Sequence, residues 1–272
     1  MSALRPFRFD RRKKLCLLAV SMICVLSTAF SQMATPAPIP ADVHPSFEAA
    51  TIKPSDPNAR GRNFRMNGRH MLIENATVKS LITFAYAIHD KQIANDPEWL
   101  DKEHYDINGV PDIEGTVSFE QYQKMVQKLL ADRFGLKFHR ENHELSVYAI
   151  TIAKDGPKLT KSTSDPNSPP EANDADRRAN QQGMVFKNAS MEHFALVMQN
   201  FFADRPLVNQ TGLSGKYDFS LHWTPDNVEP TDPNAPPGLF TAIQEQLGLK
   251  LEPVKAPIDI LVIDHVEKPS PN

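Results

Sequence analysis

Two stretches of the chain carry the same order of apolar and polar positions. Met71–Tyr86 reads MLIENATVKSLITFAY and Met184–Gln199 reads MVFKNASMEHFALVMQ, an offset of 113 residues. In each, a short apolar strand ends in Asn-Ala, and Thr77 or Ser190 then stands where a helix N-cap is wanted. Val78, Leu81, Ile82, Ala85 and Ile88 follow at helical spacing in the first. Met191, Phe194, Ala195, Met198, Phe201 and Phe202 do so in the second. Both then predict a strand bearing a Tyr-Asp pair, Tyr105-Asp106 or Tyr217-Asp218.

A second helix is expected after each pair. Ser118-Phe119-Glu120-Gln121 is a capping box, and Phe119, Tyr122, Val126, Leu129, Leu130 and Phe134 form the inward face. The later helix is shorter, with Phe240, Ile243 and Leu247 inward, and Gly135 and Gly248 stop the two helices. FGLKF at Phe134 and LGLKL at Leu247, like VYAI at Val147 and ILVI at Ile260, again lie 113 apart. Each half then reads as closing in a hairpin, residues 136–153 and 249–266, whose apolar second strand belongs in mid-sheet. The pattern predicts an α+β fold of two duplicated β-α-β-α-β-β units, helices packed on one face of a small mixed sheet. FEAATIKPS and the segment 63–69 add strands to the first unit only.

The remaining stretches set the boundaries. Residues 1–31 combine a basic start (Arg5, Arg8, Arg11, Arg12, Lys13, Lys14) with the apolar run Leu15–Phe30 and the small-x-small site Ala29-Phe30-Ser31. That is the layout of a cleaved signal peptide; a retained anchor is the alternative, but a span needs about 20 apolar residues, which favours cleavage. Residues 32–46 read as a Pro/Ala-rich tether, 47–159 as the first unit and 160–182 as a disordered linker. Residues 183–272 form the second unit, with a disordered loop at 224–238. Cys16 and Cys24 are the only cysteines, so the remainder has no disulfide, thiol nucleophile or thiolate metal site. Without residues 1–31 the chain keeps 24 basic and 32 acidic side chains, a net charge of −8. This gives no electrostatic reason to bind nucleic acid or an anionic membrane.

Candidate chemistry is sparse. In TGLSGKYDFSLHWTPD (211–226) a phosphate loop would need glycine at Gln210 and Ser/Thr at Tyr217. A nucleophile elbow would need a helix after Ser214, where a strand follows. The stretch reads instead as a glycine turn between strands of a hairpin. His139 and His143 have i, i+4 spacing, but on a strand-turn-strand that does not make a helical metal face. The Tyr-Asp pairs Tyr105, Asp106, Tyr217 and Asp218 are the best polar candidates, either as ligand-binding or as structural groups. Paired carboxylates, with His104 and His222 nearby, would suit a hydrolase. No cofactor motif and no metal site is expected.

The blocks FEAATIKPSDP, LITFAYAI, PEWLDKEHYDI, KLLADRFGLKFHRE, VYAITIAKDGPKL, TGLSGKYDFSLHWTPD, LFTAIQEQLGLKLE and ILVIDHVEKPS resemble the uncharacterised "soil-associated" family, abundant in soil acidobacteria. The resemblance spans residues 46–270. It implies export, either singly or behind a BlaR-type membrane metallopeptidase, and it brings no catalytic residue. The repeat is also similar in layout to the short N-terminal domains of secretins and TonB-dependent receptors, whose "xTGL" turn is echoed at Gln210-Thr211-Gly212-Leu213 and Gln246-Leu247-Gly248-Leu249. The expectation is a periplasmic or secreted, non-enzymatic binding or sensing module. Its partner would be an envelope protein, a peptide or a cell-surface polysaccharide, with no nucleic acid and no membrane insertion after signal cleavage. The alternative is a secreted hydrolase using paired carboxylates. Oligomeric state is left open.

Overall fold

A computed structural model describes residues 39–40, 42–67, 70–165, 170–175, 182–201, 203–229, 233 and 235–269. The expected signal peptide, 1–31, lies outside them. The first half runs β1 (Phe47–Pro54), β2 (Asn63–Asn67), β3 (His70–Thr77), α1 (Val78–Tyr86), a 3-10 turn (Asp90–Gln92), β4 (Ile93–Ala94), α2 (Trp99–Lys102), β5 (His104–Pro111), α3 (Phe119–Arg133) and β6 (Lys137–Ile152). The second half runs β7 (Thr160–Lys161), β8 (Glu171–Asp174), β9 (Gln182–Ala189), α4 (Met191–Phe201), β10 (Leu207–Asn209), β11 (Tyr217–Trp223), α5 (Leu239–Leu247) and β12 (Leu249–His265).

Five helices and three four-stranded sheets make a mixed α+β molecule among the described residues. Two sheets are antiparallel and share one strand order, β1-β5-β3-β2 and β7-β11-β9-β8. The third, β10-β6-β12-β4, draws on both halves. Its centre is the antiparallel β6–β12 pair, from Leu249↔Ile152 to Ile263↔Phe138. β10 joins β6 in parallel and β4 joins β12 in parallel.

Local chemistry explains the helices. Thr77 Oγ1 accepts from Ser80 N at 3.1 Å, and Ser190 Oγ accepts from His193 N at 3.2 Å, satisfying amides that the first helical turn leaves open. Ser118 and Gln121 form the expected reciprocal capping box. Gly135 and Gly248 sit at φ 60 and 64, the left-handed conformation that ends a helix without a Cβ penalty. Val78, Leu81, Ile82, Ala85 and Ile88 are all buried, as the periodicity requires.

The third sheet ties the cores together. The first core contains Leu81, Leu130 and Phe134, and it also takes Leu261 and Ile263 from β12. The second contains Phe194, Leu221 and Ile243, and takes Ile150 from β6. Each half therefore completes its core with side chains from the other half's last strand.

Several expectations are corrected. Residues 136–153 and 249–266 are not hairpins but two long single strands paired with each other. HRENHELS (139–146) has no glycine or proline to bend it, and Pro253 and Pro257 fall opposite Tyr148 and Glu144. Tyr148 directs its N–H away from β12, to Pro206 O at 2.8 Å. The two prolines thus occupy positions where the β6–β12 ladder asks for no N–H, and β12 runs on. The expected linker 160–182 supplies β7 and β8, which extend the second sheet as β1 and β2 extend the first. Extra N-terminal strands are thus not confined to the first half. In the expected loop 224–238, Thr224 and Gly238 bridge its ends. In the expected tether, Ile39 is buried against Val117 and Met125. Phe119 and Phe240 face outward, 42% and 45% exposed, Phe119 stacked edge-on against Phe84 and His193 and Phe240 against Tyr148. The 211–216 turn links β10 of the shared sheet to β11 of the second sheet, so it is a crossover and not a hairpin bend.

Candidate functional site

Each Tyr-Asp pair braces a bulge. The β3–β5 register shifts between Ile73 and Ala76, and the β9–β11 register shifts beside Tyr217. Asn75 and Asn188 take φ 54 and 50 there, a left-handed geometry in which asparagine is tolerated. Asp106 Oδ1 accepts from Asn75 N at 3.0 Å and Ser55 Oγ at 2.7 Å, with Lys53 Nζ 3.8 Å from Oδ2. Asp218 Oδ1 accepts from Asn188 N at 2.8 Å. The asparagine amides reach back to Gly61 O and Asp165 O. Burial alone would raise the Asp106 pKa, but the Ser55 and Asn75 hydrogen bonds and the Lys53 charge outweigh it and hold the carboxyl below its ordinary value. The Asn188 amide and the Ser162 hydroxyl hold Asp218 low. Both are ionised acceptors at neutral pH and unsuited to donating a proton.

The tyrosines are buried beneath the braces. Tyr105 OH donates to Glu103 Oε2 at 3.0 Å, and burial together with Glu103 pushes its pKa up to about 12. Tyr217 OH donates to Ser214 O at 3.2 Å. Asp106 and Asp218 stand in different sheets on separate partners, so the four residues do not form one cleft. His104 is exposed, beside Lys102 O. His222 lies against Gly183, where a Cβ would come within 2.6 Å of Nδ1. Neither imidazole meets a Tyr-Asp carboxylate.

A polar cleft opens instead where the halves meet. Its cavity of about 270 Å³ is lined by Lys79 of α1, His89 and Asp90 of the following turn, Asp101 of α2, Gln199 of α4 and Arg62. Lys79 Nζ lies 2.9 Å from Asp96. Its burial favours the neutral amine, but the Asp96 hydrogen bond and the charges of Asp96, Asp101 and Asp90 prevail and raise its pKa. His89 is buried, with Nδ1 2.6 Å from Asp90 Oδ1 and Nε2 3.4 Å from Ala203 O across the junction. Lys91 Nζ donates to Asp204 O, a second link between the halves. On α4, outside the cleft lining, burial and then Lys216 push the His193 imidazole down to about 4, so it is neutral at physiological pH. The cleft therefore presents fixed charges of both signs. These residues carried no signal in the sequence, because only the junction of two distant segments makes them neighbours.

On β6, strand geometry places His139, Glu141 and His143 on one face. Glu141 bridges the imidazoles, 3.1 Å from His139 Nε2 and 2.6 Å from His143 Nε2, and Asp264 lies 2.8 Å from His139 Nδ1. The turn expected between the histidines is absent. Hydrogen bonds that its imidazole donates to Glu141 and Asp264 raise the His139 pKa. Among the described residues no group of three His, Cys, Asp or Glu side chains is arranged to hold a metal ion. No helix among them is long and apolar enough to cross a membrane.

Comparison with known proteins adds one result. No curated protein and no solved structure matches the chain. A family described as "Protein of unknown function (DUF3738)" matches residues 79–266, from the second residue of α1 to one residue beyond β12. The match covers more than half of the chain and takes in the shared sheet and both Tyr-Asp pairs, while Arg62 of the cleft and Ser55 and Asn75 of the first brace precede it, so the chain belongs to this family of proteins of unknown function.

Proposed function

We propose that this is an exported, non-enzymatic binding module that takes a polar ligand, a peptide segment or cell-surface polymer, in the cleft between its halves. The cleft itself carries the reading. It lies at a junction, as ligand sites commonly do, and it offers donors and acceptors of both signs on Lys79, Asp90, Asp101 and Gln199. Export is supported by the basic and apolar start of the chain. A duplicated ancestor is supported by the 113-residue offset, the common sheet order and the paired Asn75 and Asn188 bulges. The hydrolase reading loses its paired carboxylates, since Asp106 and Asp218 each serve a separate bulge amide.

The test is binding of the purified chain to peptide and glycan arrays drawn from the native envelope, with Asp101→Asn and Asp90→Asn as cleft variants. About tenfold weaker binding with an unchanged melting temperature supports the proposal. Turnover of an envelope substrate that is lost in Asp106→Asn or Asp218→Asn would replace it with the hydrolase.

A further inference from the structure

We infer that the chain self-associates, two copies joining their β6 strands edge to edge. β6 pairs with β12 along its whole length, but on its other side only Tyr148–Ile150 are covered, by β10. Among the described residues, no strand covers that side from Lys137 to Val147. Tyr148 N donates to Pro206 O, and Ile150 O accepts from Gln210 N. Even-numbered residues of β6 therefore turn both backbone groups outward, and Phe138, Arg140, Asn142, Glu144 and Ser146 present an open ladder. All ten residues from Lys137 to Ser146 are at least partly exposed.

The symmetry-like counterpart is the β12 edge, and it is closed differently. There the odd-numbered residues point outward, as Asp259 O shows by accepting from Gln92 Nε2 at 3.0 Å. Pro253 and Pro257 fall in that set and remove two donors. Proline on an exposed edge is a common guard against strand addition. β6 has no proline from Lys137 to Ile152; its charged side chains are the other common guard, and they disfavour any strand that does not match them in charge.

The side chains select the occupant. The run Arg140-Glu141-Asn142-His143-Glu144 reverses in charge about Asn142. In an antiparallel pair centred there, Asn142 faces its own copy, Arg140 faces Glu144 and Glu141 faces His143. Every outward-pointing residue then meets an outward-pointing residue, so the register satisfies the backbone ladder. Within one copy Arg140 already lies 3.2 Å from Asp259, and Glu144 3.7 Å from Lys255. Joining two edges would produce rows of alternating sign across four strands: Lys255, Glu144, then Arg140 and Asp259 of the second copy. Cross-strand opposite charges stabilise sheets and like charges opposed destabilise them, so this edge favours itself over a random strand. The slot is bounded at one end. With Asn142 at the centre, Lys137 of the second copy falls opposite Val147, one residue short of where β10 begins, and Arg205, which donates to Ser146 Oγ at 3.1 Å, borders that end.

The test uses the full chain with Cys16 and Cys24 replaced by serine. Residues opposed at the centre of such a pair have Cα atoms about 5.5 Å apart, within disulfide reach. Asn142→Cys should crosslink to a dimer under mild oxidation. Lys137→Cys, about 34 Å from its own copy at about 3.4 Å per residue, should not. In sedimentation experiments Glu144→Arg should raise the dimer dissociation constant about tenfold or more, and Arg140→Glu/Glu144→Arg should recover it, with circular dichroism confirming the fold of each. Equal crosslinking at both positions, or a monomeric parent chain at about 100 μM, would overturn the inference.

Discussion

The aspartate of each Tyr-Asp pair matters because it answers an amide that the sheet cannot. At a bulge, Asn75 and Asn188 turn left-handed and their N–H groups leave the ladder; Asp106 and Asp218 accept them. Hydrogen bonds to a charged group contribute about 1.5–3 kcal/mol, and Asp106→Asn should cost an amount near the lower end, because the site is partly exposed. The pH sign follows from the lowered pKa of the folded carboxyl. Its contribution is present above the unfolded value of about 3.9 and is lost as pH falls through the lower folded value. Urea melts of Asp106→Asn should therefore separate from the parent at pH 7 and converge with it near pH 2. At the helix stops, geometry ranks two glycines that sequence treats alike. A Cβ on Gly135 would lie 3.3 Å from the flexible Glu267 side chain, but on Gly248 it would lie 2.0 Å from Gly156 O. Gly135→Ala should cost about 1–2 kcal/mol for the left-handed backbone. Gly248→Ala should lose about 1–3 kcal/mol more from the clash, read as a lower melting temperature.

Among the elements, the helices follow from contacts three or four residues apart, and those were legible. Thr77, Ser118 and Ser190 cap where their sequence context places them. Gln121 shows how a local feature acquires a distant role. Its Oε1 completes the capping box, while Nε2 donates to Pro40 O and Val43 O, both at 2.9 Å. That docks the segment read as a free tether. Gln121→Ala should lower stability by about 1–2 kcal/mol through loss of the cap and a buried partner. It should also make residues 39–46 sensitive to limited proteolysis while the remaining chain stays resistant. The strands were less legible. Apolar alternation identifies β6 and β12 as strands, but an exposed middle reads equally well as a turn. Only their pairing with each other explains why polar HRENHELS stays extended.

In the whole molecule, the shared sheet makes the halves interdependent. Leu261 and Ile263 complete the first core and Ile150 the second, and burying one such side chain contributes about 1.5–3 kcal/mol. A fragment ending at residue 165 would lose β12 and leave β6 unpaired. It should be unfolded or aggregated by circular dichroism and size exclusion, whereas the full chain should melt in one calorimetric transition. Two independent melts, or a well-folded fragment, would contradict this. The cleft belongs to the same scale, for its lining joins α1 and α2 to α4 across more than a hundred residues. Sequence by itself determined the helices with their caps and stops, because each rests on short-range spacing between residues. Only the tertiary structure decided that the last strands pair across the halves, that the Tyr-Asp carboxylates are separate braces and that the polar cleft exists. Strand partnership is a long-range choice, made by whichever pairing buries Leu261 and Ile263 in the first core and Ile150 in the second, and no local pattern encodes it.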